Sequence, residues 1–354
     1  MTVETPSDVG GDKLDADTVV GVVAQVQPLE DEDGGHQGEG DHHDQRVALP
    51  FQHREGRQHD DIQDDRRHQD GPRGADLVPE MEGLTQLHSA DYRNPDQLPQ
   101  GAALVVGAGS SGVQIAAELR KAGREVYLSV GPHSRPPRAY RGRDYCWWLG
   151  VLNKWDAEST PGLEHVTISV SGADGGHTVD FRALAATGIT LLGRAEAYAD
   201  GTLTFAPDLA ENIARGDANY LAVLEEADAY AARNGLDLPE EPEARDIGPD
   251  PDCVTDPVLS LDLETAGITS ILWATGYEQD FSWLKVNALD DQGRPAHLRG
   301  ISTEPGVYFL GLPWLTRRAS SFIYGVWHDA RYITDHILKR RAYLAYPAPA
   351  SEDA

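Results

Sequence analysis

The feature that most constrains this chain is a glycine-rich turn between a predicted strand and a predicted helix. Residues 102–123 read AALVVGAGSSGVQIAAELRKAG, in which an apolar run ends at Gly107 and an apolar-periodic segment follows Gly112. In a GxGxxG pattern the first glycine permits the tight turn, the second (Gly109) lets the backbone approach a pyrophosphate, and the third lets the helix pack on the strand. The helix N-terminus adds free N–H groups and a partial positive charge. This order of elements predicts dinucleotide binding; the alternative is a glycine turn without a ligand.

The acidic composition limits the classes of partner that the chain is expected to bind. The chain has 354 residues, enough for two domains or one large α/β domain, and a formal net charge of −28. That charge argues against nucleic acid or an anionic membrane as a general partner. No apolar run approaches the roughly 18 residues of a membrane span, and no signal peptide opens the chain, so we expect a cytoplasmic protein.

The two cysteines carry no recognisable site. Cys146 and Cys253 lie far apart in the sequence and form no CxxC pair, zinc spacing or disulfide framework. We therefore expect no metal, and we expect each cysteine to be a small buried apolar side chain in a reducing compartment.

Composition changes sharply near residue 75. Residues 1–74 contain 7 Lys and Arg against 18 Asp and Glu, and they hold six of the 13 histidines. They show neither strand nor helix periodicity, so they are predicted to be disordered, except that the apolar patch 18–26 is compatible with a short strand. A second interpretation is that this segment is not natural protein, because its mixture of Asp, His, Gln, Arg and Gly is typical of GC-rich DNA translated in a wrong frame.

From Ala75 onward the patterns are those of a globular α/β protein. We predict a doubly wound, Rossmann-like parallel sheet over 102–270, with a partial second α/β layer built from 75–100 and 271–345. The predicted strands cover 102–106, 124–131, 165–172, 189–193, 267–277 and 306–312, and the predicted helices follow Gly112 and cover 140–152, 177–188, 208–235 and 320–344. Ser320 or Ser321 is the expected cap of the last helix.

The residues after the second strand indicate which nicotinamide cofactor is preferred. An NAD site usually carries Asp or Glu there to bind the ribose 2′-hydroxyl, but SVGPHSRPPR has no acid before Asp144. Arg135 and Arg138 are the nearby cations, and a guanidinium clamps a 2′-phosphate well. NADP(H) is therefore the predicted cofactor; the alternative for either arginine is a solvated loop charge.

Three motifs together resemble a known family. GAGSSGVQIAAEL (107–119), ILWATGY (271–277) and GVYFLGLPWLTRRASSFIYGVWHDA (306–330) resemble the flavin-containing monooxygenase-like flavoproteins, in particular bacterial members of unknown substrate. The resemblance runs from about Ala75 to about Leu344. It implies an FAD- and NAD(P)-dependent oxidoreductase in which NADPH reduces the flavin and the reduced flavin transfers one oxygen from O2 to a heteroatom or ketone of a small molecule.

The resemblance also implies roles for residues of this sequence. A pyrophosphate-binding group for NADP(H) comprises Gly107, Gly109, Ser110, Ser111, Gly112 and, in the first helical turn, Gln114. Ala274, Thr275 and Gly276 belong to the strand that links the nicotinamide and flavin domains. Gly311, Leu312 and Ser320 are implied to face the flavin. No catalytic acid or base is implied.

The chain departs from the family pattern at its start. The first GxGxxG, which binds FAD in this family, has no counterpart in residues 1–100, and of the family signature FxGxxxHxxxY only His88 and Tyr92 remain. Two hypotheses stay open: an NADPH- and FAD-dependent oxidoreductase, or a truncated, non-catalytic protein that holds NADP(H) alone. The expected divisions are 1–74, a flavin-domain remnant at 75–100, a nicotinamide domain at 101–270, the end of the flavin domain at 271–345 and a tail at 346–354.

Overall fold

The computed structural model describes residues 18–21, 77–158, 167–277 and 279–346, and the statements below concern these residues. The expected disorder of residues 1–74 falls outside them except at Thr18–Gly21. That segment forms a strand, so a strand does exist within the apolar patch 18–26.

The described elements follow one another in the order that the sequence patterns broadly predict. The strands are β1 (Thr18–Gly21), β2 (Thr85–His88), β3 (Ala102–Val106), β4 (Val126–Ser129), β5 (Ala139–Tyr140), β6 (Arg143–Asp144), β7 (Ile189–Leu192), β8 (Ala195–Ala199), β9 (Thr202–Phe205), β10 (Ser260–Asp262), β11 (Ile268–Trp273), β12 (His297–Leu298), β13 (Ile301–Ser302) and β14 (Val307–Leu310). The helices are α1 (Ser110–Lys121), α2 (Tyr145–Val151), α3 (Phe181–Ala186), α4 (Leu209–Arg233), α5 (Asp252–Thr255) and α6 (Val326–Leu344), with 3₁₀ turns at Pro95–Gln97, Ala173–Gly175, Pro242–Arg245 and Arg318–Ser321.

A five-stranded sheet with the order β2-β11-β3-β4-β7 forms the centre of the molecule, and its pairings are all parallel. Every residue of β3 is buried, as expected for a strand covered on both faces. Ala103 and Val105 join a core beneath α1, α3 and α4, whereas Leu104 and Val106 join a core on the opposite face. The alternation follows from the two-residue period of a strand. The predicted Rossmann-like α/β sheet is confirmed.

The second face of this sheet is covered differently from a doubly wound fold. A three-stranded antiparallel sheet, β10-β9-β8, packs there through Leu203, Phe205 and Leu261. The hairpin between β8 and β9 turns at Asp200 and Gly201, which have φ values of 50° and 84°. Asp-Gly is the sequence that favours such a two-residue hairpin.

A smaller sheet lies beyond the central one. Its order is β1-β14-β13-β12, and β1 runs parallel to β14 with Thr18 opposite Val307. A separate core beside this smaller sheet, here called the second core, includes Phe281, Phe309 and Leu312. The strand β2, within the segment 75–100, pairs with β11 and is therefore part of the central sheet.

The segment 317–322 joins the smaller sheet, β1-β14-β13-β12, to the unit built on the central sheet. The backbone N–H of Ala319 donates to the carbonyl of Trp155 at 3.1 Å, and the Phe322 ring lies 5.1 Å from the Trp155 ring, centroid to centroid. Arg317 pairs with Asp156 at 2.7 Å. These contacts fix the start of α6 against the end of α2.

Three sequence predictions need correction. The last helix begins at Val326 rather than at Ser320, because the Ser320 hydroxyl accepts from two backbone N–H groups and closes a separate turn. The described part of the predicted strand 165–172, residues 167–172, forms two isolated bridges instead, Ser134 with Ile168 and Ser171 with His177. Cys146 is exposed rather than buried, because it lies on the outer side of α2. No helix among the described residues is long and apolar enough to cross a membrane.

Candidate functional site

The glycine-rich turn lies at the carboxyl edge of the central sheet, between β3 and α1. Gly107 has φ +107°, and a side chain there would collide with the backbone carbonyl of Ala274. A side chain at Gly112 would collide with the carbonyl of Gly107. Both glycines are therefore required by the close approach of α1, β3 and the turn after β11.

Gly109 differs from the other two glycines. Its backbone is extended, with φ −71° and ψ −178°, which any residue adopts. A Cβ atom there would meet only the Thr167 side chain at 3.4 Å and the Ile168 carbonyl at 4.0 Å. The fold itself does not need glycine at this position, so its presence points to a ligand that approaches the backbone closely.

The N-terminus of α1 supplies the donors for an anion. The helix starts at Ser110, and its N-cap residue, Gly109, has no side chain to satisfy the first N–H groups. Ser111 and Gln114 lie half-buried in the first turns. Ser110 already donates from its backbone N–H and from its hydroxyl to the Ile168 carbonyl, each at 3.1 Å.

The turn after β11 lies directly beside the glycine turn. The backbone N–H of Ala274 donates to the carbonyl of Val106 at 2.8 Å, while Thr275 and Gly276 are exposed. The Nε2 atom of His88 lies 2.9 Å from the Gly276 carbonyl and fixes this turn to the end of β2. The structure thus brings together the two predicted groups, Gly107–Gly112 and Ala274–Gly276.

The Arg135 side chain is committed to an internal ion pair. Its guanidinium bonds to the Asp217 carboxylate at 2.5 and 2.8 Å, and Asp217 also pairs with Arg182 at 2.8 Å. Arg135 and Asp217 are 4% and 5% exposed, so this ion pair is internal. Arg135 also lies over the Tyr220 ring. As placed, Arg135 holds the loop 131–138 against α4 instead of offering its charge to a 2′-phosphate.

Arg138 is more accessible than Arg135. It pairs with Asp144, and the two side chains are 30% and 44% exposed. Because the pair is in contact with solvent, exchanging the carboxylate for a phosphate requires no buried charge to be uncovered. Of the two predicted 2′-phosphate groups, Arg138 is the one whose placement is compatible with that role.

The His133 side chain, in the same loop 131–138, packs against α3 and α4. Burial lowers the pKa of His133 below its ordinary value. Its ring lies 4.6 Å from the Phe181 ring and directly over Gly216, whose missing side chain leaves room for it. His133 is therefore a neutral packing group that fixes the loop after β4 to α3 and α4.

The three residues predicted to face the flavin lie outside the central sheet, and two of them, Leu312 and Ser320, make packing or hydrogen-bond contacts within the protein. Gly311 follows β14 with φ +81°. Leu312 is buried in the second core, and Ser320 is fully buried with its hydroxyl accepting from the N–H groups of Thr316 and Arg317. None of the hydrogen bonds described for these three residues joins them to the glycine turn or to the turn after β11.

The residues available for the adenosine half of FAD do not fit that group. A dinucleotide pyrophosphate needs a glycine turn such as Gly107–Gly112, in which side chains at Gly107 and Gly112 would collide with backbone carbonyls. After β1 the sequence continues Val22-Val23-Ala24, without a glycine turn.

Sequence reasoning missed two features of the site. Asp217, in the middle of α4, was not distinguishable from the other acids on that helix, because its partners Arg135 and Arg182 are far away in sequence. The contact of Ile168 and Ser169 with the glycine turn was also missed. The alternation in 165–172 shows that one face is buried, but not what covers it.

The comparisons with curated proteins identify bacterial oxidoreductases. No protein-family model matches the chain. The "uncharacterized oxidoreductase CzcO-like" of Geobacillus kaustophilus (strain HTA426) is 32% identical over 256 residues, which are 72% of this chain and 57% of that protein. The "uncharacterized oxidoreductase CzcO" of Bacillus subtilis (strain 168) is 29% identical over 254 residues, 71% of this chain and 57% of that protein. The chain spans little more than half the length of the curated relatives it matches.

Solved structures with some likeness are flavin monooxygenases. A flavin-containing monooxygenase from Stenotrophomonas maltophilia has a TM-score of 0.39 and 18% identity, over 76% of this chain and 59% of that one. A mutant of a flavin monooxygenase from the same organism has a TM-score of 0.40 and 16% identity, over 74% and 56% of the two chains. The curated matches confirm that the chain resembles oxidoreductases, as the motifs predict.

Replacing Asp217 with alanine is expected to destabilise the protein strongly. The change leaves Arg135 and Arg182 buried without their shared carboxylate, so the free energy of unfolding should fall by about 3–5 kcal/mol. Urea unfolding followed by tryptophan fluorescence measures it. Glu211→Ala is the matched control on the same helix, since its exposed pair with Arg215 contributes at most about 1 kcal/mol. Equal stability of the two variants would contradict the structural role assigned to Asp217.

Proposed function

We propose that the chain, which is similar to curated CzcO-like oxidoreductases, is an oxidoreductase that binds NADP(H) and works with a flavin. The observation that carries the proposal is Gly109. It is a glycine that the fold does not require, at the point where a dinucleotide pyrophosphate approaches the N-terminus of α1.

In the proposed complex the protein binds and orients the nucleotide. The N–H groups of Ser110, Ser111 and Gly112 point to the pyrophosphate, and the partial positive charge of α1 favours the anion. The turn Ala274–Gly276 closes the other side of the site, and Gln114 borders it from the first turns of the helix. When bound, NADPH supplies a hydride, and the acceptor in this class of oxidoreductase is a flavin.

Selectivity for the 2′-phosphate is proposed to rest on Arg138. No acid follows β4 to bind a ribose 2′-hydroxyl, and Arg135 is committed to Asp217. Arg138 is half-exposed, and its partner Asp144 is replaceable by phosphate, which accepts two N–H bonds from one guanidinium.

The finer proposal is monooxygenation of a small molecule with O2 in the cytoplasm. Its support is the resemblance of the three motifs to the flavin-containing monooxygenase-like flavoproteins. Gly311, Leu312 and Ser320 are the residues proposed to border the flavin. We further propose that the nicotinamide domain begins near residue 77 instead of 101, since β2 pairs with β11.

Two observations favour a second candidate function. No glycine turn follows β1 in the sequence, and Leu312 and Ser320 are used in internal packing and turn formation. A protein that holds NADP(H) without flavin would have these properties.

Gly109→Ala is expected to weaken NADPH binding at least about tenfold without unfolding the protein. The added methyl group fits the free protein but occupies the space of the pyrophosphate, and hydrogen bonds to a charged group are worth about 1.5–3 kcal/mol. Isothermal titration calorimetry measures the dissociation constant. Gly172→Ala is the control, because its Cβ would meet nothing within 4 Å. Unchanged affinity in Gly109→Ala would count against this site.

Arg138→Ala is expected to weaken NADPH binding more than NADH binding, by about tenfold in the ratio of the two dissociation constants. The removed guanidinium contacts only the 2′-phosphate in the proposed complex. Arg245→Ala is the control, since Arg245 is another half-exposed arginine in an ion pair, with Asp228. Equal weakening of both cofactors by Arg138→Ala would remove the proposed selectivity.

Flavin retention separates the two candidate functions. The purified chain is incubated with excess FAD and desalted, and its visible absorption spectrum is recorded. A flavin band at about one flavin per chain supports the oxidoreductase as the activity of this chain. A colourless protein that still binds NADPH supports the second candidate.

A further inference from the structure

A short segment of the chain lies across the glycine turn. The segment 167–171, here called the strap, contacts the turn at two residues. The carbonyl of Ile168 accepts from the backbone N–H and from the hydroxyl of Ser110, each at 3.1 Å. The hydroxyl of Ser169 donates to the carbonyl of Ala108.

The strap occupies the place of an anion. The Ile168 carbonyl oxygen carries partial negative charge and receives the first N–H of α1, which is the donor that a pyrophosphate oxygen would receive. Thr167 covers Gly109, the position that a dinucleotide has to approach. A pyrophosphate and the strap therefore compete for the same N–H group and the same space above Gly109.

The strap has a second anchor that does not involve the glycine turn. The N–H of Ser134 donates to the carbonyl of Thr167, and the N–H of Ser169 donates to the carbonyl of Ser134, both at 2.8 Å. Ser134 lies in the loop 131–138, which Asp217 and His133 hold against α3 and α4. Loss of the contacts to Ser110 and Ala108 would thus leave the strap attached to this loop instead of free.

We propose that the strap is an autoinhibitory element of the nucleotide site. In the free protein it satisfies the N-terminus of α1 with its own carbonyl, and it leaves Ser110 when a dinucleotide binds. This inference rests on the proposed NADP(H) function and adds to it a closed state that lowers the apparent affinity for the nucleotide.

The test uses hydrogen–deuterium exchange and calorimetry on the full chain. In the wild type, NADPH is expected to slow exchange in peptides covering 107–113 and to give no added protection in peptides covering 167–171, where the Ser169 N–H stays bonded to the Ser134 carbonyl. Ser169→Ala removes one strap contact, so it should speed exchange at 107–113 without nucleotide. It should also tighten NADPH binding about threefold to tenfold, the value of one hydrogen bond. Ser171→Ala is the control; its hydroxyl accepts from the backbone N–H of Ala173, just after the strap, and has no hydrogen bond to the glycine turn among those of the described residues.

The outcomes separate the strap from the proposed function. Slower exchange of both regions with NADPH would show that the segment closes over the nucleotide, and would overturn inhibition. Unchanged or weaker NADPH affinity in Ser169→Ala would also overturn inhibition while leaving NADP(H) binding intact. Unchanged exchange at 107–113 in Ser169→Ala, measured without nucleotide, would overturn the strap contact, whether or not NADPH binds. No NADPH binding by either protein would overturn the proposed function and the inhibition together.

Discussion

The close approach of three backbone segments at Gly107 and Gly112 is the constraint on which the rest of the structure depends. A side chain at either position would collide with a carbonyl, of Ala274 or of Gly107, and would push α1 away from β3. Because both positions are glycine, the N-terminus of α1 lies at the carboxyl edge of the sheet, next to the turn after β11. The fold thereby gathers the first N–H groups of α1 at one point, where the Ile168 carbonyl accepts from Ser110 in the free protein, and these groups are what the site offers to a ligand.

Side-chain charge contributes less to this site than the sequence suggests. The chain carries a net charge of −28, and the cations near the site have internal partners: Arg135 and Arg182 share Asp217, and Arg138 pairs with Asp144. Recognition of a pyrophosphate is therefore assigned mainly to backbone N–H groups and the helix dipole. Of these cations, Arg138 is solvent-accessible enough to change partners without exposing a buried charge.

Much of the central unit could be predicted from local sequence, because its signals lie within single elements. The glycine spacing predicts the turn, and the long helix over 208–235 is found as Leu209–Arg233, with Gly235 in a positive-φ conformation just beyond it. The antiparallel cover was missed although Asp200-Gly201 marks its hairpin. The role of Arg135 was not predictable, since Asp217 lies 82 positions away and only the tertiary fold brings them together. The displaced start of α6 has a local cause, because the Ser320 hydroxyl accepts from the N–H groups of Thr316 and Arg317, four and three positions before it.

The most direct test of the central claim is equilibrium dialysis of the purified wild-type chain against NADPH. The account predicts saturable binding of one NADPH per chain within the usual range of cofactor affinities, below about 1 mM. No binding up to that concentration, by a chain that circular dichroism shows to be folded, would contradict it, because the glycine turn would then be a packing feature without a nucleotide.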